Sequence, residues 1–275
     1  MDLGAGAWQT VSAPRIVGIV LVRNEDLLVG RALRNAAAFA DEWILCDHGS
    51  TDETLRILQT EAASLPAARV HQLRHPRESH DLIKTFAGQD VWIFGLDGDE
   101  IYDPAGLRRL RERLRAGEFQ KDWMVLGNVL HVTKVAPDHS TVSGHLAPPC
   151  RSMTKLYNFS SIDSWDGYCA ERLHGGRPRF RPGYDESRKR NLHEVTPWET
   201  SDFRCLHMCF RPRSSRGDEA ARPNIMELYG PSRRWSWWRA LRRRLGFSSE
   251  ARWKYERYRR GEEVTVEAAP FFAAN

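Results

Sequence analysis

Three carboxylates stand within four consecutive positions: Asp97, Asp99 and Glu100, with Gly98 between them. They directly follow the uninterrupted apolar run 91–96, which is typical of a buried strand. Acidic groups this close repel one another, so at neutral pH one of them holds its proton unless a cation neutralises the cluster. Carboxylate oxygens suit Mg²⁺ and Mn²⁺, which commonly complete their coordination with water and substrate phosphates. The cluster therefore predicts a site for Mn²⁺ or Mg²⁺ beside a phosphorylated donor.

The spacing of the acids also predicts their direction. Residues two apart on an extended chain point the same way, so Asp97 and Asp99 are expected to face one ligand, while Gly98 allows close approach. The alternative is a turn whose acids cap the next helix, because Asp-Gly is a common turn pair and Asp103-Pro104 follows. A turn does not need three acids after so apolar a strand, which favours the metal site.

Alternating elements position these acids. Apolar runs predict strands, and the segments between them have helical spacing. The predicted strands are 16–22, 42–46, 69–73, 91–96 and 123–132, the predicted helices are 27–39, a segment around 55–58, 81–86 and 107–115, and loops rich in Pro, Gly and His follow residue 132. This order predicts an α/β fold with a doubly wound, mostly parallel sheet flanked by helices. In such a sheet, ligands bind beyond the carboxyl ends of the strands.

The first two predicted strands deliver polar groups to the same edge. Asp47 ends the second strand, where an acid can accept hydrogen bonds from a base or ribose. The same position suits a helix-capping loop, and the two roles are compatible. Arg23 and Glu25 follow the first strand. Neither a G-x-G-x-x-G nor a G-x-x-x-x-G-K-[ST] motif occurs, so a metal is expected to hold the diphosphate.

Three motifs occur in a familiar order: Leu21-Val-Arg-Asn-Glu25, Cys46-Asp-His-Gly-Ser-Thr-Asp-Glu-Thr54 and Asp97-Gly-Asp-Glu100. Together they resemble family-2 inverting glycosyltransferases of the GT-A fold, over roughly 16–102 and more loosely to about 211. The resemblance implies a GT-A-like catalytic domain over 1–220, with a nucleotide-binding half at about 14–102 and an acceptor-binding half at about 103–220.

The resemblance also implies roles for single residues. Glu25 and Asp47 would line the nucleoside pocket, with Arg23 beside them. Asp97 and Asp99 would be the D-x-D pair, Asp97 close to the donor and Asp99 the closer metal ligand.

Later histidine motifs, Leu192-His-Glu-Val195 and Leu206-His-Met208, are similar to those of bacterial relatives. They imply Glu194 as general base and His207 as a late metal ligand. A second acidic motif, Glu171-Arg-Leu-His174-Gly-Gly, competes for the role of base, so Glu171 stays a candidate and Asp166 a reserve. Position 48 departs from the family, because His48 stands where Asp, Ser, Thr or Asn is usual.

The implied reaction is inverting transfer of a sugar from a nucleotide-sugar donor, a UDP-sugar by preference, to a hydroxyl of a glycan or lipid-linked acceptor. Two other functions remain open. One is a sugar-nucleotide nucleotidyltransferase, which the loop Arg23-Asn-Glu disfavours because it lacks the usual glycine- and arginine-rich sequence. The other is a non-catalytic protein that binds membranes or nucleic acid.

The C-terminal segment 221–275 is predicted to form a basic, aromatic helical tail. The stretch 231–260 carries eleven Lys and Arg against two Glu. Trp235, Trp238, Leu241 and Leu245 would share one helical face, which suits packing on the catalytic domain or contact with an anionic membrane surface. Nucleic acid is a disfavoured partner, because no known binding module is present.

The apolar run 16–22 is only seven residues long and is followed by charged residues, so it is too short for a membrane span or a secretion signal. The five cysteines are an odd number without a paired framework, which also suits a reducing compartment. We expect a cytoplasmic location, or a peripheral one at the inner face of the membrane. Cys205, His207 and Cys209 suggest zinc by their spacing, but core cysteines beside a functional histidine are favoured.

Overall fold

A computed structural model describes residues 13–152, 155–217 and 257–273. The first half of the chain alternates between strands and helices, as its pattern predicts. Its elements are β1 (Arg15–Val22), α1 (Val29–Ala36), β2 (Glu42–Asp47), α2 (Thr54–Ala62), β3 (Arg69–Gln72), α3 (Glu78–Ile83), a short 3-10 helix (Lys84–Phe86) and β4 (Val91–Leu96).

The second half contains more strands than expected. Its elements are β5 (Glu100–Tyr102), α4 (Pro104–Arg115), β6 (Met124–Leu126), β7 (Asn128–Val135), β8 (Thr141–Ala147), β9 (Lys155–Asn158), β10 (Ile162–Glu171), β11 (His174–Phe180), β12 (Lys189–Asn191), α5 (Leu192–Val195), β13 (Arg204–His207), β14 (Glu263–Glu267) and α6 (Ala269–Phe272). The prediction of loops after residue 132 is therefore wrong. Strand β11, His-Gly-Gly-Arg-Pro-Arg-Phe, shows why, because it is half exposed and lacks apolar alternation.

The main sheet has seven strands in the order β12-β6-β9-β4-β1-β2-β3. Strand β1 pairs in parallel with β2 and with β4, whereas β9 runs antiparallel between β4 and β6. A second sheet has the order β14-β8-β7-β13-β5, and β10 and β11 form a hairpin. The predicted α/β class, with a mostly parallel sheet flanked by helices, is confirmed.

Strand β1 is buried on both faces, which explains its continuous apolar sequence. Ile16 and Val20 belong to one core cluster, together with the buried sides of α1 and α4. Val17 and Ile19 point the other way, into a second cluster closed by the β10–β11 hairpin. Because successive side chains of a strand alternate between faces, a central parallel strand needs apolar residues at every position.

Helix α4 fixes the chain that follows the acidic cluster. Asp103 is its N-cap, and its carboxylate accepts a hydrogen bond from the Ala105 N–H at 2.9 Å. Pro104 occupies the first helical turn, where its missing N–H costs nothing. Thus Asp103 caps the helix, and the acids at 97–100 are free of that task.

The described end of the predicted tail is not helical throughout. Glu263–Glu267 forms β14, which pairs antiparallel with β8, and Phe271 is buried in the core. A strand forms here because the sequence Glu-Val-Thr-Val-Glu alternates with period two. The arginine- and tryptophan-rich stretch 233–247 lies outside the described residues, so its helix stays a prediction. Among the helices of the described ranges, none has the length and apolarity needed to cross a membrane.

Candidate active site

Four segments meet beyond the carboxyl ends of β1 and β4. Glu25 follows β1, and the turn containing Asp99 follows β4. Arg213, from the chain after β13, donates to Asp99 Oδ2 at 3.1 Å and lies 3.5 Å from Glu25 Oε1. The fourth segment is the tip of the β10–β11 hairpin, which supplies Arg172. The edge predicted to bind ligand is therefore lined by buried charged groups of both signs.

The acids after β4 lie in a tight turn and not on an extended chain. The Glu100 N–H donates to the Asp97 carbonyl at 3.1 Å, which closes the turn. The expected extended backbone between Asp97 and Asp99 is therefore wrong, whereas their facing one ligand stays a prediction. Each carboxylate instead contacts its own arginine.

Asp97 is paired with Arg172. One guanidinium nitrogen of Arg172 donates to Asp97 Oδ1, and another donates to the Leu21 carbonyl at 3.2 Å. The Arg172 side chain is 1% exposed, whereas that of Asp97 is 25% exposed. Burial alone would lower the pKa of Arg172, but the carboxylates of Asp97, Glu171 and Glu100 more than offset it, and the pKa is raised. Arg172 is therefore a fixed positive charge at this edge.

Asp99 is buried and lies between Arg213 and His207. The distance from Asp99 Oδ2 to His207 Nε2 is 3.7 Å. The main chain holds the same residues together, since the Met208 N–H donates to the Asp99 carbonyl at 2.8 Å. The structure thus brings together two residues that the sequence assigned to one metal, from positions more than a hundred apart.

Glu100 has a different environment from its two neighbours. It is fully buried, accepts a hydrogen bond from the Tyr102 hydroxyl at 3.1 Å, and lies 3.4 Å from the Asp97 N–H. Burial and the Glu100 carboxylate raise the pKa of Tyr102 well above its usual range. Glu100 therefore supports the turn from inside the domain.

Asp47 lies at the end of β2 and is 2% exposed. Its Oδ2 accepts from the Ser50 N–H at 3.2 Å, which is the loop-capping role that the sequence allowed. Its Oδ1 is buried and has no hydrogen-bond partner within the described part of the chain. Such an acceptor is costly unless a partner arrives, which suits a role in binding a ribose or base.

His48 and Arg23 lie beside Asp47. His48 is buried, and its N–H donates to the Val22 carbonyl at 2.9 Å. Burial, followed by the charge of Arg23, lowers the pKa of His48. Glu25 is also buried, and its N–H donates to Thr54 Oγ1 at 2.7 Å. The loops after β1 and β2 are thereby tied together.

The candidate bases occupy different places. Glu171 lies at the hairpin tip beside Arg172, and its carboxylate is 2.7 Å from His174 Nδ1. Glu194 lies in α5 after β12, which runs in the same direction as β4, and its side chain is 56% exposed. Asp166 is exposed in β10 and accepts from Ser164 Oγ at 2.6 Å. Glu171 and Glu194 both stay candidates, with Asp166 as the reserve.

His207 also contacts a second histidine. His131 Nδ1 is 2.8 Å from His207 Nδ1, and the ring of Tyr258 stacks on His131 with 4.4 Å between centroids. Cys209 approaches both rings closely enough for the three residues to share one ion. Burial, then the positive charge that His207 carries when it is protonated, lowers the pKa of His131 to about 3.

All five cysteines are free and buried. Cys205 packs in the hydrophobic core near Tyr102, and burial raises its pKa well above the usual value. Cys205 is thus a core cysteine, as favoured from the sequence, and the described residues that could share one ion here are His131, His207 and Cys209.

Sequence reasoning missed four residues of this edge: Arg172, Arg213, His131 and Tyr258. A signal existed for Arg172 alone, because it follows Glu171 in the acidic motif that stood out. The other three approach through tertiary contacts between distant segments, for which spacing gives no signal.

The geometry fits a divalent cation. Metal–oxygen bonds of about 2.1 Å place two ligand atoms up to about 4.2 Å apart, and the Asp99 Oδ2 to His207 Nε2 distance of 3.7 Å falls within that range. Gly98 leaves space for a neighbouring carboxylate, because a Cβ at this position would lie 2.2 Å from Glu25 Oε2. Carboxylate oxygens with one imidazole form a donor set suited to Mn²⁺.

Comparisons with known proteins give only distant likenesses. No family model and no curated protein matches the chain. Glucosyl-3-phosphoglycerate synthase from Mycobacterium tuberculosis, with phosphoglyceric acid, is 17% identical over 54% of this chain and 58% of its own, with a TM-score of 0.36. A mannosyltransferase from Pyrobaculum calidifontis, in complex with GDP-Man and Mn²⁺, is 21% identical over 45% of this chain and 37% of its own, with a TM-score of 0.32.

A third structure, 4-diphosphocytidyl-2C-methyl-D-erythritol synthase from Anaerococcus prevotii, is 13% identical over 55% of this chain and 72% of its own, with a TM-score of 0.35. The chain spans less than two thirds of the length of the first two proteins. At these TM-scores the likenesses carry no weight for the reaction of this chain, and its membership of family 2 stays a prediction.

Proposed function

We propose that this chain is a metal-dependent glycosyltransferase, which moves a sugar from a nucleotide-sugar donor to an acceptor hydroxyl. The observation that carries the proposal is the array at the carboxyl end of β4. There Asp99 lies 3.7 Å from His207 and 3.1 Å from Arg213, while Asp97 is paired with Arg172. This array combines ligands for a divalent cation with fixed positive charges that suit a diphosphate.

Asp99 and His207 are the proposed metal ligands. Asp97, the more exposed of the two aspartates, would complete the site from the donor side. A bound Mn²⁺ or Mg²⁺ would neutralise the charge that develops on the departing nucleoside diphosphate.

The buried Arg172 and the partly exposed Arg213 have a second role in this proposal. Arg213 donates to Asp99 and approaches Glu25, so it brings a positive charge to both carboxylates. Arg172 does the same for Asp97. Both guanidinium groups stand at the edge where the diphosphate would lie, and arginine offers planar paired donors that suit phosphate oxygens. The leaving group would thus meet positive charge from the protein itself.

Asp47 and Glu25 are the proposed nucleoside contacts. The buried Oδ1 of Asp47 would accept a hydrogen bond from a ribose hydroxyl or a base N–H. Arg23, beside His48, would face the same nucleotide. A uracil base is our first choice, so a UDP-sugar is the proposed donor.

Inversion requires one carboxylate to accept the proton of the acceptor hydroxyl as its oxygen attacks the anomeric carbon. Glu171 is favoured by its position beside Arg172, at the edge that holds Asp97. Glu194 is favoured by its exposure beyond β12. A glycan or lipid-linked hydroxyl is the proposed acceptor class, and an anionic membrane surface would present it through the segment 233–247.

A thermal-shift panel of UDP-, GDP- and dTDP-sugars, each with and without Mn²⁺, tests the proposal. A ligand at one hundred times its Kd stabilises the native state by about 2.7 kcal/mol. We expect a rise in Tm with one nucleotide class only, dependent on Mn²⁺ and lost in Asp99→Asn. If no nucleotide sugar raises the Tm under any metal condition, the proposed function is wrong.

A further inference from the structure

His131 and His207 form a buried pair behind the proposed metal ligands. They stand opposite each other on the adjacent parallel strands β7 and β13. His131 is 0% and His207 is 5% exposed. Their Nδ1 atoms are 2.8 Å apart, which is a hydrogen-bond distance, so one of the two nitrogens carries the proton.

The Arg151 carbonyl decides which of the two Nδ1 atoms carries that proton. The Arg151 carbonyl oxygen lies 3.0 Å from His131 Nε2. A carbonyl accepts hydrogen bonds and has no proton to donate, so His131 Nε2 must be protonated. A neutral imidazole has one proton, and burial without a paired charge disfavours a second. His131 Nδ1 is therefore the acceptor, and His207 Nδ1 is the donor.

The hydrogen bonds from the Arg151 carbonyl through His131 to His207 form a relay, which continues to the proposed metal ligand Asp99. When His207 is neutral its one proton lies on Nδ1, so its Nε2 is unprotonated, and this atom lies 3.7 Å from Asp99 Oδ2. Two electron-rich atoms at this distance repel each other, and a cation bound to both relieves that repulsion. The opposite tautomer would turn the lone pair of His131 Nε2 against the Arg151 carbonyl.

We propose that His131 is a positioning residue, which holds His207 in the tautomer whose Nε2 is a metal ligand. The inference rests on the proposed function for the identity of the site, but the direction of the proton relay stands on the hydrogen bonds alone. Tyr258 fixes the plane of His131 by stacking at 4.4 Å and 24°. It also meets the edge of the His207 ring at 5.4 Å and 84°.

The first experiment examines the relay without metal. Ring nitrogen chemical shifts of ¹⁵N-histidine in the full-length protein report the tautomer directly. We expect His207 protonated on Nδ1 and His131 protonated on Nε2, with assignments from His207→Gln and His131→Asn. A protonated Nε2 on His207 in the neutral protein would overturn the proposal, whether or not the chain transfers sugar.

The second experiment measures binding of Mn²⁺ alone by electron paramagnetic resonance. Outer partners of metal-ligating histidines typically change metal affinity by 10- to 100-fold when removed. His131→Leu, which removes the acceptor at similar size, is expected to weaken Mn²⁺ binding by this amount. His131→Asn places an amide oxygen near the lost Nδ1 and is expected to recover most of the affinity.

Cys209→Ser separates the relay from a site formed by Cys209 and both rings. The relay predicts near-unchanged Mn²⁺ affinity, because the cysteine lies outside the line from Arg151 to Asp99. An equal loss in Cys209→Ser and His131→Leu would show that all three residues hold the ion, and would overturn the relay. Unchanged affinity in a folded His131→Leu protein would do the same. If Mn²⁺ binds as expected but no donor is used, the proposed function fails while the relay stands.

Discussion

Arg172 and Asp97 form an ion pair that fastens the tip of the β10–β11 hairpin to the end of β4. The arginine is held from three directions, since its side chain also donates to the Leu21 carbonyl and its backbone N–H donates to Ser79 Oγ at 2.8 Å. These contacts of Arg172, together named the latch, fix the hairpin tip at the same edge that carries the proposed donor site. Leu173, the next residue, adopts a left-handed φ of 55° and is buried. The tip thus has a defined shape set by tertiary contacts.

Replacing Arg172 by Met is expected to destabilise the protein strongly. The change leaves the Asp97 carboxylate without its cation and the Leu21 carbonyl without a donor, and removing one partner of a buried pair costs about 3–5 kcal/mol. Partial exposure of Asp97 places the expected loss near the lower end, about 3 kcal/mol. Urea denaturation measures it. Arg179→Met, on the exposed face of the same hairpin, is the matched control and should change stability by about 0.5 kcal/mol or less. Equal values for the two variants would contradict the latch.

The fold of the first hundred residues could be predicted because its elements are locally encoded. Strand β4 is apolar at all six positions and buried at all six, and such a run has one stable location in an α/β domain. The strands of the second half of the chain gave weaker signals. Strands β11 and β12 are half exposed and contain Gly, Pro, Arg and Lys, so their pairing depends on partners distant in sequence.

The candidate site likewise contains residues that the local sequence reveals and residues that only tertiary contacts bring together. Asp47 and Asp99 stand out because acids after apolar strands are visible in the sequence. The positions of Arg213 and His131 depend on tertiary packing. Arg213 reaches Asp99 because Leu27 N–H donates to the Arg213 carbonyl at 3.0 Å, and His131 meets His207 through the register of two neighbouring strands. Neither contact leaves a pattern in the sequence.

Asp99→Asn removes the anionic ligand while keeping shape and size. If Asp99 holds the cation, the loss of charge stabilisation at the leaving group is worth several kcal/mol. We therefore expect turnover to fall on the order of 100- to 1,000-fold, with weaker Mn²⁺ binding. Donor hydrolysis without acceptor and Mn²⁺ titration measure the two effects. Glu100→Gln is the comparison, since its side chain is directed inward to Tyr102; it should lower stability more than Mn²⁺ affinity. Full turnover in Asp99→Asn would remove the basis of the mechanism.

The general base is identified by two matched substitutions, Glu171→Gln and Glu194→Gln. Loss of a general base costs about 100- to 10,000-fold in rate while the donor still binds. We expect one variant to show this loss in kcat with little change in donor KM, and the other to retain near-normal kcat. Asp163→Asn is the control, because its exposed carboxylate pairs with Arg181. Normal kcat in both glutamine variants would exclude both residues as the base.

Gly98→Ala tests the close approach of Glu25. The new Cβ would meet Glu25 Oε2 at 2.2 Å and Val22 Cγ1 at 2.7 Å, so the carboxylate must move away from Arg213. Overpacking of this kind costs about 1–3 kcal/mol, and nucleotide binding should weaken about tenfold. Gly30→Ala is the control, since its Cβ would meet the flexible end of Arg34 at 3.1 Å. Isothermal titration calorimetry with UDP and Mn²⁺ measures the UDP affinity of both variants. Equal affinities would contradict a role for Gly98 in the site.

The stability of the hairpin side of the domain should depend on pH through His80. This residue in α3 is 4% exposed and contacts the ring of Trp165, edge to face, with 5.5 Å between centroids. Burial lowers its pKa below the ordinary value of 6.5. Between the two pKa values the unfolded chain binds more protons than the folded one, so stability rises with pH. The contribution is complete above about pH 6.5 and is lost as pH falls towards the folded pKa, at up to about 1.4 kcal/mol per pH unit.

His80→Leu removes this proton uptake and keeps an apolar side chain against Trp165. We expect the slope of unfolding free energy against pH, measured with urea between pH 7 and pH 5, to be smaller in the variant than in the parent. His139→Leu is the control, because His139 lies on the exposed loop between β7 and β8, and this variant should leave the slope nearly unchanged.

The protonation of His80 matters for function, because α3 presents Ser79 to the backbone of Arg172. Protonation of His80 would then loosen the latch on Asp97 at acidic pH. A slope identical in parent and His80→Leu would show that His80 is protonated equally in the folded and unfolded chains.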